Sequence, residues 1–105
     1  MSDAQTKTAA LIATFWIRIR PLVEERLAVL EDASSAAAAD TLTDEARVHA
    51  AGCAHKLAGS LGLYGFDKGT DLARELEALM NGAAPDPARL AWLVAELRTV
   101  VFPAA

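Results

Sequence analysis

The helix breakers of this chain are few, and their placement limits its fold more than any other feature. Pro21, Gly65, the Asn81-Gly82 pair and the Asp86-Pro87 pair divide the sequence into segments of several helical turns each. Every segment carries apolar residues three and four apart, the spacing of a helix face packed on a core. The spacing predicts a first helix from about Ala4 to Arg18, with Ala9, Ile12, Phe15, Trp16 and Ile19 on one side. Proline suits a first helical turn and disfavours helix just before it, so a second helical piece is expected over Pro21 to Ala37, with Leu22, Leu27 and Leu30 inward, either separate from the first or joined to it as one kinked helix. Thr43 is placed to N-cap a third helix, with Asp44 and Glu45 at the positive end of its dipole. That helix runs to Tyr64 and ends on Gly65 in the left-handed conformation. Phe66-Asp67 opens a fourth, carrying Leu72, Leu76, Leu79 and Met80 inward. Asp86-Pro87 starts the last, with Leu90, Leu93, Val94, Leu97 and Val101 along one face.

The expected fold is therefore all-α: an antiparallel four-helix bundle with an additional N-terminal helix, one domain over residues 1–105. Composition agrees, with 53% apolar residues, many of them Ala and Leu, and only 6% aromatic. Trp16 and Trp92 are expected as anchors at the core or its edge.

A net charge of −4, with cations interleaved among acids, argues against nucleic acid as a partner. One cysteine, Cys53, permits no intrachain disulfide and suits a reducing compartment. The start Met1-Ser2-Asp3-Ala4 has no basic segment followed by an apolar one. The apolar stretch from Thr8 to Ile17 is too short to span a bilayer. A cytoplasmic protein without membrane contact is expected. His49 and Cys53 are four residues apart, but no second pair of ligands completes a metal site; no metal is expected.

The third helix carries the chemistry. At about 100° per residue, Ala46, Ala50, Cys53, Leu57, Leu61 and Tyr64 form the core stripe, and His55 points away from it. Around His55 stand Ala51, Gly52, Ala58, Gly59 and Gly62, where an exposed helix face ordinarily bears charged residues. Each glycine inside a helix costs about 1 kcal/mol against alanine, so three of them point to a purpose other than stability. One purpose is clearance, with a partner's backbone approaching the imidazole over Gly59, and Val48 and Ala51 adding apolar contact. The other is close packing of a second helix, in which case the chain is a non-catalytic interaction or dimerisation module.

The run Ala54-His55-Lys56-Leu57-Ala58-Gly59-Ser60, then Gly65, then Leu72-Ala73-Arg74-Glu75-Leu76-Glu77, resembles the signature of the histidine-containing phosphotransfer family. That signature is His-x-Leu-Lys-Gly-Ser, a glycine ten residues after the histidine, and a following helix ending in a Leu-Glu pair. The resemblance implies that His55 is the phosphoacceptor. Gly59 would then be the clearance position, Ser60 a polar residue steadying the helix, and Gly65 a structural turn near the site. It further implies a monomeric carrier with no kinase activity towards ATP. Such a carrier exchanges a phosphoryl group with receiver domains of response regulators or hybrid histidine kinases, and those receivers supply Mg²⁺. Val48, Ala51, Gly52, Ala58, Gly59, Gly62 and Lys68 would form the docking surface. One position departs from the signature: the family's lysine three residues after the histidine is Ala58 here. Lys56 and Lys68 are the candidate cations to take its place.

Overall fold

The computed structural model describes residues 3–104. Met1, Ser2 and Ala105, which the expected domain and the leader reading include, lie outside the described residues. Four α-helices follow one another: α1 (Asp3–Ala38), α2 (Asp44–Leu61), α3 (Asp67–Met80) and α4 (Pro87–Val101), with a 3₁₀ turn at Gly62–Tyr64 after α2. There are no strands among the described residues, and the all-α expectation holds.

Neighbouring helices run antiparallel, as cross-helix pairs show. Arg89 of α4 meets Glu75 of α3, and Lys68 of α3 meets Glu96 of α4. At one end Trp16 of α1 packs against Tyr64, Phe66 and Phe102, with ring centroids 5.0–6.1 Å apart. Arg98 of α4 ties back to α1 by gripping both Glu24 and Glu31. The ring of four helices closes on a core of Val23, Leu27, Leu30, Leu57, Leu61, Leu76, Met80, Leu90, Leu93 and Leu97, all nearly inaccessible to water.

The expected caps are present. Thr43 accepts a hydrogen bond from the Ala46 N–H at 3.1 Å, and Asp86 accepts one from the Ala88 N–H at 3.1 Å. Gly65 adopts φ +85°, the left-handed region that a side chain would strain. Its neighbour Phe66 returns an N–H to the Leu61 carbonyl, which turns the chain into α3.

At the start of the chain the structure takes the continuous one of the two alternatives. The additional N-terminal helix is not separate: α1 is one helix of 36 residues that passes through Pro21. Proline deprives the Ile17 carbonyl of its partner, but Pro21 and Ile17 both lie at the surface, where water can serve that carbonyl. At about 1.5 Å per residue α1 is about 54 Å long, and the molecule's greatest extent is 53 Å. The other three helices have 14 to 18 residues, so α1 outruns them. Asp3 to Phe15 are all exposed, the stripe of Ala9, Ile12 and Phe15 included. Packing begins at Trp16. Trp92 is also not a core residue; half exposed, it lies under the Arg89 guanidinium.

Candidate functional site

His55 projects from the middle of α2 with 73% of its side chain exposed. Its Nδ1 lies 2.9 Å from Oε2 of Glu77 on α3. A carboxylate offers only acceptors, so Nδ1 carries the proton and donates it. In the neutral ring the free lone pair is then on Nε2. The chemistry this allows is nucleophilic attack by Nε2, with Glu77 holding the ring and its tautomer in place.

α2 presents two different sets of small residues. Gly52 and Gly59 stand in the open: a Cβ added at either would find no heavy atom within 4 Å. Internal packing does not require them to be glycine. Two other members of the expected docking face are covered, and a third, Gly62, is exposed but close to α3. Ala51 and Ala58 are buried, at 6% and 9% exposure, because the inward arc of α2 is wide enough to meet both α1 and α3. A Cβ on Gly62 would sit 3.3 Å from Thr70 Oγ1 of α3, so Gly62 is bare for packing within the molecule. Ala46, placed on the core stripe by its spacing, is exposed. It sits in the first turn of α2, at the open end of the bundle.

The remaining expected residues divide similarly. Val48, Ala51, Gly52, His55 and Lys56 line one shallow open depression, joined by Glu77 and Asn81 of α3. Lys68 is not among them; its ammonium is 3.5 Å from Glu96 of α4. The Ser60 hydroxyl donates to the Lys56 carbonyl at 3.0 Å, bonding back onto its own helix one turn below. Cys53 is buried in the core, and its burial pushes the thiol pKa up.

Three residues that sequence reasoning did not place at the site belong there. Glu77 was visible only as part of a Leu-Glu pair; that it reaches His55 depends on how α2 and α3 align. Asn81, one turn beyond Glu77, extends the wall of the depression. Leu63 is 72% exposed and Val48 60%. Four- and three-residue steps put Val48, Gly52, His55 and Gly59 on one outer stripe of α2, with Leu63 following in the 3₁₀ turn. The histidine thus stands between two glycines, with an exposed apolar side chain at each end.

No described helix is long and apolar enough to cross a membrane. Among the described residues, no three of His, Cys, Asp and Glu gather to hold a metal ion.

Comparison with known proteins agrees with the geometry. The chain matches the Hpt domain family over residues 19–101, a span that begins close to where α1 joins the bundle. It is similar to protein RcaC of Microchaete diplosiphon, 32% identical over 81 residues, which are 77% of this chain and 12% of the relative. The chain thus corresponds to a small part of that relative's length. No solved structure matches it. With most of its length matched, and with a histidine exposed on the second helix of a four-helix bundle, this chain belongs to the Hpt domain family.

Proposed function

We propose that His55 accepts a phosphoryl group from the aspartyl phosphate of a receiver domain and returns it to the aspartate of a second receiver. Membership of the Hpt family supports histidine phosphotransfer in general. The observation that carries the assignment to this atom is the 2.9 Å bond from His55 Nδ1 to Glu77, which leaves Nε2 as an exposed nucleophile between Gly52 and Gly59.

In the transfer, the Nε2 lone pair attacks phosphorus as the bond to the aspartyl oxygen breaks, and the aspartate leaves as a carboxylate. The ring becomes formally cationic and keeps its proton at Nδ1, where the Glu77 carboxylate faces it. No proton need leave for the bond to form. The reverse step returns the phosphoryl group to another carboxylate and restores the neutral ring. Such transfers depend on alignment and charge stabilisation more than on protein acid–base chemistry. Mg²⁺ held by the receiver's acidic pocket would neutralise part of the charge on the transferring group. On this reading the chain is a monomeric cytoplasmic carrier, and its partners are receiver domains of response regulators or hybrid kinases. The passive contact module is less well supported, because it gives Glu77 no reason to hold an exposed imidazole.

The test is transfer from a phosphorylated receiver domain of the same organism, with Mg²⁺, onto the wild type and onto His55→Gln. Label that is acid-labile and alkali-stable on the wild type alone is the expected outcome. Equal labelling of both chains, or of neither, overturns the assignment.

A further inference from the structure

We infer that Arg74 of α3 is the side chain that grips the phosphoryl group on His55. The inference rests on the phosphotransfer reading above. Phosphorylation at Nε2 adds up to two negative charges to a ring already held by the carboxylate of Glu77, so the site needs a cation.

The helices that meet at His55 carry four: Arg47 and Lys56 on α2, Lys68 and Arg74 on α3. Two are engaged elsewhere. Arg47 donates to the Met80 carbonyl at 2.7 Å, and Lys68 pairs with Glu96. Lys56 lines the same depression as His55 but lies about 100° around α2 from it, on the side away from α3, and is the competing cation.

Arg74 lies on the α3 side, and the helix register puts it at the right level. His55 meets Glu77. Seven residues further along α2 and seven back along α3, Gly62 meets Thr70. Between these two pairs, Ala58 and Arg74 stand at one level, each three residues from its partner in the His55–Glu77 bond. Arg74 is thus one turn from Glu77 on the same side of α3. It is exposed and makes no hydrogen bond or ion pair with a described residue. Of the acids within one turn of it, Glu75 is held by Arg89 and Glu77 by His55, while Asp71 is exposed and makes no ion pair with Arg74. Ala58, where the family's lysine would stand, is buried and ends at Cβ, so a charge at this level has to come from the facing helix. A guanidinium suits the task, because its planar fork can hold two phosphoryl oxygens together.

The test uses the full chain and two phosphoryl donors, the receiver domain and phosphoramidate, a small donor that needs no docking. Arg74→Ala is expected to slow His55 labelling by about tenfold or more with both donors, with an unchanged thermal melt. Arg74→Lys is expected to recover part of the rate, and Lys56→Ala to slow labelling less than Arg74→Ala does. Arg74→Ala labelling at the wild-type rate with phosphoramidate overturns the inference, as does a loss confined to Lys56→Ala. If slowing appears with the receiver donor alone, Arg74 is a docking contact and the inference again fails. A wild-type chain that takes no label from either donor refutes the His55 assignment itself.

Discussion

Glu77 offers the most direct test of how the fold prepares His55. Replacing it with alanine removes the Nδ1 acceptor and leaves the imidazole otherwise untouched. A hydrogen bond to a charged group contributes roughly 1.5–3 kcal/mol when shielded. Here the histidine side chain is 73% exposed and the glutamate 29%, and such exposure reduces charged pairs to about 1 kcal/mol or less. The bond gains strength as the ring becomes cationic during phosphorylation, so much of that energy lies in the barrier to transfer. At about 1.4 kcal/mol per tenfold, Glu77→Ala should slow single-turnover transfer about fivefold. Glu77→Gln keeps an acceptor oxygen and should lose less. Rapid-quench labelling gives the rate, and ¹⁵N NMR of the ring reports the tautomer, expected to be Nδ1–H in the wild type and mixed in Glu77→Ala. An alanine variant with both the wild-type rate and the wild-type tautomer would show that the bond orders nothing, and the argument for Nε2 would fail.

Gly59 should separate stability from transfer. With nothing within 4 Å of an added Cβ, Gly59→Ala should gain up to about 1 kcal/mol of stability, read as a higher melting temperature, and Gly59→Leu should also fold. Yet Gly59→Leu should transfer from a receiver far more slowly than wild type, and equal rates would remove the clearance argument. Arg98 should make stability depend on acid. Hydrogen bonding from Arg98, followed by its charge, holds the Glu24 carboxyl below its ordinary value of 4.5 against the opposing effect of burial. A carboxyl lowered in the folded state stabilises above its unfolded pKa, and that contribution fades as pH falls through the folded value. Arg98→Met should therefore cost about 1 kcal/mol near neutrality, and its urea-melt stability should decline less steeply than wild type below about pH 5. Parallel curves for the two chains would contradict the assignment.

The sequence was most legible where apolar contrast is strong and caps are local. All five residues expected inward on α4 are buried, and Thr43, Gly65 and Asp86 punctuate the chain as their chemistry suggests. It was least legible where a residue's role depends on a neighbour distant in sequence. Alanine and glycine look alike on an exposed face and in a tight seam, so Ala51 and Ala58 were assigned outward although α3 covers them. Pro21 follows a local rule that the solvent-facing side of α1 relaxes. Glu77 lies 22 residues beyond His55, and no periodicity within one helix could show that the two touch.

The small residues of α2 therefore serve two purposes that one helical face conceals. Ala51, Ala54, Ala58 and Gly62 form a seam along which α3 approaches closely; at Gly62 there is no room for a Cβ without moving Thr70. That approach lets the short side chain of Glu77 reach the imidazole at 2.9 Å. Gly52 and Gly59, turned outward, leave the other side of the ring open to a partner. A bulkier seam would push Glu77 away, and a bulkier outer stripe would keep the partner off. The two demands differ in consequence: changes in the seam should lower stability and disturb the histidine together, while bulk added at Gly52 or Gly59 should slow transfer without lowering stability. The buried alanine at position 58 follows from the first demand. A seam this tight leaves no place for a long cation at position 58, so the charge that phosphorylation requires at that level is better supplied from α3, the helix that already holds the ring.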